Sequence, residues 1–232
     1  MKILEEKLKD LEGGRILDVA TAYGDFIRFL TETFENYIEA IGIDMDQERL
    51  KMAQDRTGDE ILYNPMNAEN LLFDDDYFDT VAMRHSMHHL PDIDKVLSEM
   101  KRVLKPKGLL IIGELFQDPK TEKPNSHRHW HHWRAEVDRL NGESHNETLT
   151  KEEIISKIDK MSFKDYEMIE DIDNIPDPDT VKIMQLNISE SIEKLKEMGG
   201  QDDLIERGEK MQRIIKTLSY TPEGVLYLLA RK

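Results

Sequence analysis

The feature that most constrains this chain is an alternation, over residues 15–116, of short apolar runs with one-sided helical patterns. Arg15–Ala20 (RILDVA), Tyr37–Asp44 (YIEAIGID), Phe78–Met83 (FDTVAM) and Leu109–Phe116 (LLIIGELF) are the clear runs, with a weaker one at Glu60–Tyr63. Runs with little polar alternation suit strands buried on both faces, as in a parallel sheet covered by helices. Between them, Asp92–Leu104 puts Ile93, Val96, Leu97, Met100, Val103 and Leu104 on one helical face. Pro91-Asp92 supplies the start of that helix and Lys105–Gly108 its stop. Asp46 stands where a cap is needed for a helix over Gln47–Arg56. Repetition of strand, helix and strand predicts a doubly wound α/β sheet with its ligand crevice at the carboxyl ends of the strands.

Beyond Gln117 the alternation breaks. Ser126–Leu140 reads as a polar helix with Trp130, Trp133, Val137 and Leu140 as its buried stripe, and Lys151–Met161 as a helix opened by Thr150. Tyr166–Asp173 reads as a strand. Residues 174–224 then form an insertion with Pro176 and Pro178 at its mouth. It offers two amphipathic helices, one with Val181, Met184, Ile188, Ile192 and Leu195, the other with Leu204, Met211, Ile214, Ile215 and Leu218. Val225–Arg231 closes the chain as a last buried strand. At 232 residues the expectation is a single domain, 1–232, with its ligand-binding core at 14–116.

Charge limits the partners. Asp and Glu number 48 against 32 Lys and Arg, a net charge of −16 spread along the chain. A dispersed negative field repels phosphate backbones, which argues against nucleic acid as substrate. No apolar run reaches the ~18 residues of a membrane span. The chain has no Cys, so disulfides, thiolate nucleophiles and Cys-ligated zinc are excluded together. The charged start MKILEEKLKD is no export signal, and with the absence of Cys it sets the expectation of a cytoplasmic protein.

The chemistry gathers at the ends of the predicted strands. In ILDVATAYGDF, Ile16–Phe26, a strand runs through Asp18 into a turn of small residues and then a helix, whose free N–H groups suit a ligand. Asp44 in IGIDMD lies 26 residues after Asp18, where nucleotide-binding folds place an acid on ribose hydroxyls. Next come Asn67-Ala68-Glu69-Asn70-Leu71, then FDDDYFD at Phe73–Asp79, MRHSMHHL at Met83–Leu90 and RVLKPKGLLIIGE at Arg102–Glu114. Together these resemble the class I S-adenosylmethionine (SAM)-dependent methyltransferases, of the small-molecule group that includes enzymes of menaquinone and ubiquinone biosynthesis. The resemblance covers residues 14–116 and the terminal strand.

The resemblance implies a Rossmann-like, mostly parallel seven-stranded sheet with a helical lid insertion. By position it implies that Asp18, Ala20, Thr21, Ala22, Tyr23 and Gly24 form the loop around the methionine end of SAM. Asp44 takes the ribose hydroxyls, Met45 packs on adenine, and Asn67 and the Ala68 N–H meet the adenine edge. Arg84 lies beside the methyl-transfer point. Segments 117–146 and 174–224 would form the lid and substrate pocket. Two departures stand out: Ala22, with Tyr23 beside it, where glycine is common, and Asn67 where the family has Asp. An Ala at 22 is strained if the turn needs φ > 0. The implied activity is methyl transfer from SAM to an O, N or C nucleophile of a small molecule, with SAH as product. The alternative is a SAM-binding sensor that does not turn over. An NAD-dependent oxidoreductase would need G-x-G-x-x-G in the first loop, which Ala20–Phe26 lacks.

All eight histidines fall between His85 and His145. On a helix over Ser126–Leu140, His127, His131, Arg134 and Asp138 share a face, and His132 with Glu136 another. Three uses stay open: a divalent metal held with carboxylates, a base or substrate contact, or a solvent-facing helix. Candidate catalytic residues are His85, His131 and Arg84, with Glu114 as a further site residue.

Overall fold

The computed structural model describes residues 1–117, 126–163, 165–172, 178–217 and 223–232. The expected contributions of residues 118–125, of Pro176 and of Leu218 lie outside the described residues. Two compact units are resolved. Unit 1 comprises Met1–Glu114, Glu152–Asp171 and Val225–Lys232, and unit 2 comprises Leu115–Lys151 and Ile172–Gly224.

Unit 1 opens with a short helix α1 (Lys2–Leu8), which the charged N-terminal sequence does not announce. It then alternates β1 (Glu12–Val19), α2 (Asp25–Thr33), β2 (Asn36–Asp44), α3 (Gln47–Thr57), β3 (Leu62–Pro65), β4 (Phe78–Arg84), α4 (Ile93–Val103) and β5 (Leu104–Gln117). Asp46 caps α3 by accepting from the N–H groups of Glu48 and Arg49, and Asp92 caps α4 by accepting from that of Lys95. The expected Lys105–Gly108 turn is absorbed into β5 as a bulge. Phe78 pairs with Leu104 but Thr80 with Leu109, and Lys107 takes φ +66°.

After β5 the chain forms α5 (Ser126–Leu140) and the two-residue strand β6 (Leu149–Thr150) in unit 2. Then follow α6 (Lys151–Lys160) and β7 (Tyr166–Asp171), next α7 (Pro178–Met198) and α8 (Asp202–Thr217), and last β8 (Gly224–Arg231). The main sheet runs β3-β2-β1-β4-β5-β8-β7. Its recorded pairs from β3 to β5 are parallel, and β7 runs antiparallel to β8. Ile16, Leu17, Ile43, Val81, Met83, Leu110 and Ile112 are all buried, which is why the strand runs carry so little polar alternation. Strand order reverses between β1 and β4, so the ligand crevice opens there, past Asp18 and Arg84.

Unit 2 has its own core. Trp133 and Val137 of α5 pack with Met184, Ile188, Ile192 and Leu195 of α7 and Leu204, Met211 and Ile215 of α8. The indole N–H of Trp133 donates to the Leu204 carbonyl at 2.8 Å. The predicted α5 stripe is corrected at one end. Leu140, the last helical residue, is 43% exposed, because the chain turns away at Asn141-Gly142 before anything covers it. Among the described residues no helix is long and apolar enough to cross a membrane.

Candidate active site

β1 carries Asp18 to the crevice, and Ala20–Gly24 then turns the chain into α2. That turn needs left-handed backbone at three positions: φ is +56° at Ala20, +48° at Ala22 and +75° at Gly24. For a residue with a Cβ this costs ~1 kcal/mol. Hydrogen bonds hold the conformation. The Ala22 N–H donates to Asp44 Oδ2 at 3.0 Å, the Thr21 N–H to the Ile43 carbonyl at 2.9 Å, and the Thr21 hydroxyl to Asp18 Oδ2 at 2.6 Å. Gly24 is required for a second reason. A Cβ there would crowd the hydroxyl of Tyr63, which packs under the loop from β3.

Asp18 is buried, and its Oδ1 accepts no hydrogen bond among the described residues. Burial pushes the carboxyl up to about 7, against the Thr21 hydroxyl that favours its charged form. Asp44 accepts from the Asp46 N–H on Oδ1 and from Ala22 on Oδ2, so each oxygen keeps a lone pair. Met45 beside it is 72% exposed. Asn67 Oδ1 is engaged by its own turn, accepting from the Glu69 N–H at 2.9 Å, which leaves one lone pair for a ligand. Ala68 is almost covered.

At the end of β4, Arg84 Nε donates to the Tyr227 hydroxyl at 3.2 Å, and its guanidinium lies 5.8 Å from the Phe26 ring centroid. His85 follows at φ +53°, its N–H donating to the Gly113 carbonyl at 2.7 Å. Two cavities flank the loop. One of about 250 Å³ is bordered by Asp18, Ala22, Phe26, Arg84 and His85. The other, of about 290 Å³, is bordered by Asp44, Met45, Asn67 and Ala68. Ala20 and His89 border both.

This geometry agrees with what the chain resembles. Residues 17–112 match the family model described as a methyltransferase domain. Residues 17–112 are thus similar to a methyltransferase domain, and the rest of the chain lies outside that match. The ubiquinone/menaquinone biosynthesis C-methyltransferase UbiE of Bordetella avium is 33% identical over 115 residues, covering 48% of this chain and 45% of that protein. The chain thus spans about half the length of the curated relatives it matches. Among solved structures, a Bacillus halodurans protein provisionally assigned as a methyltransferase superposes with a TM-score of 0.64 at 19% identity. That match covers 99% of this chain and 97% of that one. The Haemonchus contortus phosphoethanolamine N-methyltransferase 2, in complex with phosphomonomethylethanolamine and S-adenosylhomocysteine, gives 0.61 at 20% identity, covering all of this chain and 52% of that one. At these identities the superpositions establish the fold of the methyltransferase domain.

The residues present suit SAM. Asp18 Oδ1 is a buried acceptor without a donor, the chemistry a ligand ammonium completes. Asp44 offers two outward lone pairs, the chemistry of a ribose diol. Asp18, Ala20–Gly24, Asp44, Met45, Asn67, Ala68, Arg84 and His85 therefore gather in one unit around neighbouring cavities. His131 belongs to unit 2.

In unit 2, buried His131 and His145 face each other through their Nε2 atoms at 3.3 Å, and His145 Nδ1 lies 2.7 Å from Asp138 Oδ2. His132 and Glu136 share a face of α5 as expected, but they do not hydrogen-bond to each other. Glu136 is held by both terminal nitrogens of Arg207, at 2.8 and 2.6 Å, while His132 approaches Thr148 Oγ1 at 3.3 Å. Sequence reasoning missed the buried pair of Thr148 and Glu223, 3.1 Å apart, and His127 beside Glu223 at 3.2 Å. Glu114 is expected from sequence as a further site residue, with a strand-end salt bridge as its structural alternative. Glu114 is fully buried, accepting from the Met87 N–H at 2.7 Å and pairing with His88 Nδ1 at 2.8 Å. It sets the turn that follows β4.

Proposed function

We propose that this chain transfers the methyl group of SAM to an O, N or C nucleophile of a small molecule. The observation that carries the reading is the loop Ala20–Gly24 tied to Asp44 above a buried, donor-less Asp18 oxygen. Bound SAM supplies a methyl already activated on a positively charged sulfur. The chain's own residues then bind, orient and exclude water. Asp44 accepts from the ribose hydroxyls, Asn67 and the Ala68 N–H meet the adenine edge, and Met45 covers its face. Asp18 accepts from the ammonium end.

Arg84 stands at the acceptor end as a charge partner for an anionic group, held in place by Tyr227. The imidazole of His85, bordering the same cavity, takes the proton of an O–H or N–H acceptor. His131, a candidate base by sequence, receives a different role below. Unit 2 has a cavity of its own, of about 380 Å³, bordered by Trp133, Met211 and Ile214 beside Arg207 and Lys210. The net charge of −16 favours a small-molecule acceptor over RNA or DNA.

Calorimetry with SAM, SAH and NAD tests the cofactor, with Asp44→Ala as control. SAM and SAH should bind, NAD should not, and the variant should bind SAM weakly. Labelled SAM offered with a broad acceptor panel then tests transfer. Label on nucleic acid alone would overturn the acceptor class, and tight SAM binding without transfer to any acceptor would establish a sensor instead.

A further inference from the structure

We propose that His131 and His145 are two ligands of one borderline divalent transition-metal ion of the Zn²⁺ type, with Asp138 fixing the His145 ring behind them. The argument stays within unit 2. His131 and Asp138 stand seven residues apart on α5, two helical turns, and so share a face. The helix ends at Leu140, and Gly142 at φ +83° lets the chain double back. The Asp138 carbonyl accepts from the N–H groups of Asn141 and Glu143, both at 3.0 Å. Arg139 Nη1 donates to the His145 carbonyl at 2.7 Å. These bonds return His145 to the same face of the helix as His131. All three side chains are buried.

The orientation is that of ligands. Asp138 lies against His145 Nδ1 at 2.7 Å, so Nδ1 carries the proton and Nε2 presents its lone pair. A carboxylate on the far nitrogen of a coordinating imidazole is the usual support of a metal-bound histidine. Arg134 Nε, 2.7 Å from Asp138 Oδ1, holds the carboxylate in turn, and Arg134 Nη1 donates to Ser191 Oγ at 3.0 Å. The Nε2 of His131 meets the lone pair of His145 at 3.3 Å, long for a hydrogen bond between nitrogens. Two nitrogens bound at about 2.0–2.1 Å to one tetrahedral ion sit about 3.3–3.4 Å apart. The separation matches that edge, and the pair therefore fixes two corners of a tetrahedron. Neutral imidazoles favour Zn²⁺, Ni²⁺ or Cu²⁺ over Mg²⁺ or Ca²⁺, which take oxygen. With no Cys in the chain, thiolates do not compete for the ion.

The inference does not rest on methyl transfer, and its test reads the metal directly. The full chain, stripped by a chelator, is titrated with Zn²⁺ by calorimetry and with Co²⁺ by visible absorption. One equivalent should bind, and Co²⁺ should give a tetrahedral ligand-field band. His131→Gln and His145→Gln should each weaken binding at least tenfold, and Asp138→Asn by roughly 10–100-fold. His129→Gln, exposed on the same helix, should change nothing. Circular dichroism checks that the variants fold. The unaltered chain gives a second reading: one equivalent of Zn²⁺ should shift the ¹⁵N signals of both Nε2 atoms. Absence of saturable binding, binding that survives the two His variants, or unmoved Nε2 signals would overturn the proposal and leave a histidine–histidine hydrogen bond.

Discussion

The backbone N–H of Ala22 donates to Asp44 Oδ2 at 3.0 Å, so one carboxylate at the end of β2 both anchors the β1–α2 loop and faces the cavity beside it. Asp44→Ala should therefore lose the loop anchor and the ligand contact together. Charge-assisted hydrogen bonds contribute about 1.5–3 kcal/mol each, so SAM affinity should fall about 100-fold. Asp44→Asn keeps one oxygen acceptor and should lose roughly tenfold by the same scale. Calorimetric titration with SAM measures both, and an unchanged affinity in Asp44→Ala would remove this residue from the site.

Two left-handed positions in that loop make opposite predictions. Ala22→Gly relieves ~1 kcal/mol of backbone strain but adds about 0.4–1 kcal/mol of unfolded-state entropy, so stability should stay nearly level. Gly24→Ala should cost ~1–2 kcal/mol from its φ of +75°, and more to the extent that its Cβ crowds the Tyr63 hydroxyl. Tyr63→Phe removes that hydroxyl and should restore part of the loss. Urea denaturation of the two single variants and the double variant reads the coupling. Additive losses would place the strain elsewhere.

How much of this was legible in the sequence depended on what each residue's neighbours were. Strands buried on both faces announce themselves locally, as Ile16–Val19 and Leu109–Ile112 do, because no register slip can turn them toward water. Asp46 and Asp92 announced helix starts for the same local reason. Tyr63 under Gly24 was not legible, since it depends on the pairing of Gly42 with Tyr63 across β2 and β3. The approach of His145 to His131 was hidden too, because it follows from the turn at Gly142 and not from helical spacing. His132 and Glu136 had that spacing, yet Arg207 offered Glu136 a two-pronged ion pair that an imidazole cannot match.

Glu114 separates a structural carboxylate from a catalytic one. Replacing it with Ala would leave the Met87 N–H and the His88 ring without their buried acceptor, at a cost of about 3 kcal/mol. Glu114→Gln retains one oxygen acceptor and should lose about half as much by that scale. Thermal unfolding measures the loss. A variant of unchanged stability but lost turnover would make Glu114 part of the reaction.

Asp18 ties stability to pH. Burial lifts its carboxyl from 3.8 to about 7 in the folded chain, so between those values the folded state holds a proton that the unfolded state has released. Stability must then fall as pH rises from about 4 to about 7 and level off above, the reverse of a salt-bridged acid. Asp18→Asn is always neutral and should lack this slope, becoming more stable relative to the unaltered chain at pH 8 than at pH 4. The same carboxyl gives SAM binding a pH signature. A cationic ligand beside Asp18 favours the carboxylate, so binding at pH 6 should release a proton from the unaltered chain and none from Asp18→Asn. Calorimetry at pH 6 in buffers of different ionisation enthalpy counts that proton. If the count is the same in both proteins, Asp18 does not titrate in this range or does not meet the ligand's charge.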